Sequence, residues 1–254
     1  MGAFIIFDLF VFLFGVCIFS FLNAAAYRLP RQISFVKGSS FCPHCQHSLQ
    51  AKDLIPLLSW LLLKGRCRYC QAAISMRYFV VELWGGILAL LCFHYFANYL
   101  EAVWIFTFFA LLTLITLIDL DIMEIPNILV GIVFIWGIFT FFLNPEIIWW
   151  ERLLGVIAVS LPLFLITLII PNGFGGGDIK LMAACGLALG YKFILTAFFL
   201  AVVAGGLYGI YLLLARKKGR KEHFAFGPFL CLGIFIASFW GEALLNWYLG
   251  FILI

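Results

Sequence analysis

Eight apolar runs dominate this chain, at residues 3–22, 79–97, 102–118, 125–143, 149–170, 179–191, 193–215 and 227–252. A helix needs roughly 20 apolar residues to cross a bilayer. Within hydrocarbon every backbone polar group must find its partner inside the protein, which leaves helices or closed barrels. The runs are long and unalternating, so the pattern predicts an all-α polytopic membrane protein with about eight transmembrane helices. Composition agrees, with 65% hydrophobic and 11% charged residues, against about 45–50% and about 25% in soluble domains. The first run differs from a cleaved signal peptide: Asp8 stands where a basic segment would lie, and no small-residue cleavage site precedes Asn23. We read it as a retained helix.

The distribution of charge orients the runs. The one long polar stretch, residues 23–78, holds eight Lys or Arg against the single acid Asp53. Basic loops stay on the cytoplasmic side, which makes the N-terminus external and places every later loop. The segment 216–222, "RKKGRKE", then also falls inside, as does Lys180. Fourteen of the sixteen Lys and Arg are internal, with Arg152 and Lys192 outside. The run 179–191 is short for a span. Reading it as re-entrant would force "RKKGRKE" outside, so it is counted as crossing. Three regions result: a first transmembrane helix (1–22), a cytoplasmic loop domain (23–78) and a seven-helix membrane domain (79–254).

The loop domain carries Cys42 and Cys45 in "CPHC" and Cys67 and Cys70 in "CRYC". Thiolates two residues apart grip one face of a tetrahedral ion, and two such pairs close a zinc shell. Disulfides are disfavoured in a reducing cytoplasm, and a redox dithiol needs one pair. Four thiolates leave no open position for substrate, so the zinc is assigned to folding. His44 and His47 are read as surface histidines. Cys17, Cys92, Cys185 and Cys231 lie in apolar runs and read as small buried residues.

Acids at membrane depth are candidate functional groups. Asp119, Asp121 and Glu124 occur in "IDLDIMEIPN", at the inner end of the third run, and Asp178 opens the sixth, also at the inner face. Two carboxylates brought together there cannot both ionise and would share a proton, as in aspartic proteases. Asp119 and Asp121 point about 200° apart on a helix, so at most one faces Asp178, and geometry alone leaves that choice open. Glu82 stands at the inner mouth of the second run, as a partner for Arg77 or as a functional group. Gly175, Gly176 and Gly177 precede Asp178 and expose backbone to which an extended peptide could pair.

The pieces "SFLNAAAYRLP", the two cysteine pairs, "DLIPLLSW", "RYFVVEL", "IDLDIMEIPN", "GGGDIKL" and "FGPFL", in that order, resemble the type IV prepilin peptidase family. These enzymes are bifunctional leader peptidases and N-methyltransferases, and the G-x-G-D element is similar to that of other intramembrane aspartyl proteases. The resemblance makes Asp119 and Asp178 the catalytic aspartates. It implies a bacterial cytoplasmic (inner) membrane enzyme that cuts the basic leader of prepilins or pseudopilins after glycine, with its active site facing the cytoplasm. It also implies S-adenosylmethionine as methyl donor for the new N-terminus; no motif locates the donor's site. Two departures, Lys37-Gly38-Ser39-Ser40 and Ala24-Ala25-Ala26, fall in the part associated with methyl transfer. The expected partners are pilin precursors and the lipid bilayer, without nucleic acid. The alternatives are a peptidase lacking methyl transfer, or a non-enzymatic membrane protein whose zinc loop docks a partner.

Overall fold

The computed structural model describes residues 2–34, 40–170, 173–215 and 224–252. Those residues are helical throughout, apart from loops, a short 3-10 turn at Ala51–Asp53 and two isolated β-bridges. The helices are α1 (Gly2–Arg28), α2 (Leu58–Leu62), α3 (Met76–Tyr95), α4 (Tyr99–Ile122), α5 (Asn127–Leu143), α6 (Trp149–Ile169), α7 (Gly176–Leu214) and α8 (Gly227–Ile252). Six are long and apolar enough to cross a membrane, and α5 is a shorter apolar helix of 17 residues. The segment 216–222 and Lys37, Gly38 and Ser39 lie outside the described residues.

Helices occupy all eight predicted runs, with three differences of note. The sixth and seventh runs form one 39-residue element, α7, which breaks at Gly190, where φ is 77° and ψ is 170°. Only glycine adopts that conformation without strain. The helix also begins earlier than the apolar run, at Gly176, and so draws Asp178 into its first turn. At the other end of the chain α1 continues past its apolar run to Arg28. Ala24, Ala25 and Ala26 are the strongest helix formers, so polarity ends the membrane stretch without ending the helix.

The chain packs as two units, residues 1–110 and 111–254, divided within α4. In the first, α1 lies on α3 through small residues. A Cβ on Gly15 would collide with the Gly85 carbonyl, and one on Gly85 or Gly86 with Phe19 or Phe12. Lipid provides no hydrophobic drive between helices, so close van der Waals fit on small residues takes its place. Asp8 pairs with His94, whose Nε2 lies 3.1 Å from the carboxylate.

In the second unit α7 packs against α5, α6 and α8. Gly155 of α6 and Gly186 of α7 touch backbone to backbone, and Gly233 of α8 meets the Ala197 carbonyl in the same way. Beside that contact Arg152 is completely buried. It donates to the side chain of Thr140 and to the carbonyls of Thr140 (3.1 Å), Asn144 (2.7 Å), Ile147 (3.3 Å), Leu187 (3.3 Å) and Ala188 (3.1 Å). Its guanidinium carbon also stands 4.6 Å from the Phe141 ring centre. Several of these carbonyls end α5 and the first half of α7, where helices leave acceptors unpaired and carry partial negative charge. The cation therefore allows α7 to break at Gly190 with its carbonyls satisfied. Lys192, the other basic residue assigned outside, pairs with Glu151 at 3.1 Å.

Arg152→Ala leaves this set of buried carbonyls without donors. The loss is expected to reach about 3–5 kcal/mol, the usual scale for breaking a buried charged network. It should appear as a lower thermal unfolding midpoint in detergent, with Arg152→Lys recovering only part because it lacks the planar fork of donors.

Candidate active site

Asp119 occupies the last turn of α4 because the helix cannot run on. Pro126 forbids a helical residue before it, and the turn is closed by Met123, with φ at 54°, whose amide donates to the Asp119 carbonyl at 2.8 Å. That left-handed residue is a common way to end a helix. Asp119 points inward and is 4% exposed, whereas Asp121 and Glu124 are exposed. Of the three acids in this segment, packing buries Asp119 and leaves the other two at the surface.

Asp178, 8% exposed, sits in the first turn of α7. The glycines before it admit close neighbours: a Cβ on Gly175 would stand 3.1 Å from Asp178 Oδ2, and one on Gly177 would stand 2.8 Å from Ile125 Cβ. Ile125 reaches in the other direction too, its Cδ1 lying 3.3 Å from where a Gly227 Cβ would be. It is therefore wedged between the segment that carries Asp178 and the one that supports Asp119. The two carboxylates are near enough to interact electrostatically.

The sequence reading quoted "FGPFL" without assigning it a role, and its function is local. Gly227 N donates to Asp119 Oδ2 at 3.0 Å, from the first residue of α8. A Cβ at position 227 would lie 2.7 Å from the same oxygen. Each carboxylate consequently meets a helix N-terminus, where outward-pointing amides favour negative charge. Phe174 and Phe226, with ring centres 5.9 Å apart, join the glycine-rich segment to the segment that presents Gly227. Pro228 was the only local clue, since proline starts helices and cannot continue them inward.

In the first unit the four predicted cysteines converge. Their sulfurs all lie within 4.8 Å of one another, and the Cys42 and Cys70 sulfurs are 3.8 Å apart. Tetrahedral zinc–thiolate geometry, with bonds of about 2.3 Å, requires an edge of about 3.8 Å. The donor set therefore fits such an ion. The two pairs are built alike: Cys42 and Cys67 donate their amides to His47 and Ala72, and accept from Gln46 and Gln71, both with φ near 59°. Burial acts to raise the Cys42 thiol. The amides of Cys45 and His44 and the neighbouring Cys67 and Cys45 thiols outweigh it and hold the group at about 7.

A clasp fastens the second pair to "DLIPLLSW". Arg68 Nε donates to Asp53 Oδ1 at 2.6 Å, and Tyr69 Oη and Gln50 N donate to Oδ2, each at 3.2 Å. Arg68 first, then Gln50 and Tyr69, hold the Asp53 carboxyl below its ordinary range against the effect of burial. Next to the clasp is a cavity of about 750 Å³, bordered by Tyr27, Arg28, Asp53, Leu57, Trp60 and Glu82. Glu82 is buried and its Oε2 accepts the Leu57 amide at 2.7 Å. Leu57 has φ at 60° and ψ at −53°, a costly conformation of the kind that collects at functional sites.

Two family models match the chain: the bacterial peptidase A24 N-terminal domain over residues 13–96, and the type IV leader peptidase family over residues 105–210. A prepilin leader peptidase/N-methyltransferase of Bacillus subtilis is 33% identical over 239 residues, covering 94% of this chain and 96% of the relative. Proteins of the same name from Aeromonas salmonicida and Legionella pneumophila are 35% and 31% identical. Those alignments cover 96% and 94% of this chain, and 94% and 93% of the relatives. No solved structure matches the chain.

Gly227→Ala should push the Asp119 carboxylate aside while leaving the helices in place. Displacements of about 1 Å in a reacting group cost on the order of 100-fold in rate. The expected outcome is a peptide-cleavage rate reduced on that scale, with an unchanged yield of folded protein in detergent.

Proposed function

Because the chain belongs to the type IV leader peptidase family, we propose that it removes the basic leader from type IV prepilins or pseudopilins and then methylates the new N-terminus. The observation that carries the first step is the burial of Asp119 and Asp178 together at the ends of membrane helices, away from the exposed Asp121 and Glu124. Two adjacent carboxyls share one proton. The ionised member takes a proton from water, which attacks the scissile carbonyl, while the protonated member gives its proton to the carbonyl oxygen. The proton taken from water then passes to the leaving amine. The Gly227 amide keeps Asp119 oriented, and Gly176, where an added Cβ would meet nothing within 4 Å, leaves backbone open to an extended substrate.

A basic leader is retained inside for the same reason as the loop 23–78. The proposed arrangement therefore puts the N-terminus outside, the dyad at the cytoplasmic boundary of the inner membrane, and the scissile bond on the same side. Zinc held by Cys42, Cys45, Cys67 and Cys70 is the proposed metal. Its role is to fold the loop, since four thiolates complete a tetrahedral shell.

For the second step the cavity beside the cysteines fits a methyl donor in size and in its mixture of charges and aromatic faces. S-adenosylmethionine, when bound, supplies an electrophilic methyl group. Of the residues lining the cavity, Arg28 would hold its carboxylate, and Trp60 and Tyr27 would offer aromatic faces to its adenine. Oε2 of Glu82 is engaged by Leu57, so Oε1 is the atom proposed to take a proton from the pilin's N-terminal ammonium.

Asp119→Asn and Asp178→Asn, each nearly isosteric, should abolish prepilin cleavage in an assay with purified protein while zinc content and yield hold. Normal processing by either variant would remove the dyad from the mechanism. Glu82→Gln is expected to leave cleavage intact and to yield mature pilin one methyl group lighter, read by mass spectrometry. Full methylation by that variant excludes Glu82 as the proton acceptor. Cys67→Ser should lower bound zinc and protein abundance together, measured by metal analysis of the purified protein.

A further inference from the structure

A groove in the second unit is separate from everything described above. It has a volume of about 350 Å³ and runs along α5 and α7, from Asn127 and Lys180 past Gly131 and Ala183 to Phe134. Its floor is made by small residues, and a Cβ added at Gly131 would meet nothing within 4 Å. We propose that this groove is a binding site for one acyl chain of an anionic phospholipid, whose phosphate is held by Lys180 and Asn127.

The head of the groove is polar and selective in sign. Lys180 Nζ donates to Asn127 Oδ1 at 2.9 Å. The carboxamide keeps its NH2 donors and the ammonium keeps further hydrogens to give. The pair therefore presents a positive charge and donors. Asn127 is also the first residue of α5, so the helix N-terminus adds partial positive charge at the same place. An anion suits this head, and a zwitterion's own cation does not.

Below its head the groove is apolar and open along its length, lined by Val130, Gly131, Phe134 and Ala183. The positive head repels a basic leader, and an extended peptide laid in the groove would carry unpaired amides into lipid. A hydrocarbon chain has no polar groups to satisfy, and a phosphate answers the charge of the head. Lys180 lies two residues from Asp178 on the same helix, so the lipid would rest against the element that carries one of the two buried carboxylates. The proposal concerns binding and stands whether or not that carboxylate is catalytic.

Native mass spectrometry of the full chain in detergent, titrated with dioleoyl-phosphatidylglycerol or dioleoyl-phosphatidylcholine, tests this. The wild type should retain the anionic lipid at least threefold better at equal collision energy. Lys180→Gln should bring anionic retention down to the zwitterionic level. Gly131→Leu, which fills open space, should remove retention of both lipids, and matched thermal midpoints would show that each variant is folded. Equal retention of the two lipids by the wild type, or an unchanged preference in Lys180→Gln, overturns the proposal. So does unchanged retention in Gly131→Leu. Displacement by millimolar inorganic phosphate alone would reduce the site to an anion site, and displacement by an equimolar hydrophobic pilin-helix peptide would make it a seat for substrate. Either result also overturns it.

Discussion

A peptide group inside hydrocarbon has no water to bond, and the rest of this structure follows from that constraint. Helix is the only local answer available to long unalternating apolar runs, so the described residues are helical wherever the chain is apolar. The same constraint acts wherever a helix stops. At Gly190 the chain breaks within an apolar stretch, and the carbonyls freed there and at the end of α5 are taken up by the guanidinium of Arg152. A cation that would be prohibitive among aliphatic side chains becomes affordable when five carbonyls and a hydroxyl surround it.

Helices that cannot be driven together by water must fit closely. The contacts at Gly15 with Gly85, Gly155 with Gly186, and Gly233 with Ala197 bring backbones to distances that any side chain would prevent. This packing fixes α7 against α6 and α8. Asp178 lies in the first turn of α7, and Asp119 lies near the end of α4. Ile125 and the amide of Gly227 then set their surroundings. The proposed chemistry needs that rigidity, since a proton shared between two carboxyls requires their separation to be held.

The loop outside the membrane is stabilised by other means. It is too small and too polar to build a core, and the cysteine pairs and the Asp53 clasp do that work. The clasp and Glu82 together border a cavity, and Leu57 is held there in a conformation it would not adopt alone. A loop held by the Asp53 ion pair and its hydrogen bonds can tolerate such a hollow, whereas a hydrophobic core of that size would collapse into it.

Much of this was legible in the residues because it depends on local rules. Length and apolarity specify a membrane helix, and two C-x2-C pairs specify a four-thiol cluster, with little help from the rest of the chain. Choosing Asp119 over Asp121 by geometry was beyond the sequence, since both lie in the same turn and only packing shows which is buried. The break at Gly190, the role of Gly227, the carbonyl cage of Arg152 and the Glu82–Leu57 contact were equally hidden. Each depends on an approach between segments distant in sequence, to within a few tenths of an ångström. Hydropathy and spacing carry no information at that scale, so the sequence by itself determined the helices and the candidate groups, and the tertiary structure alone decided what surrounds each of those groups.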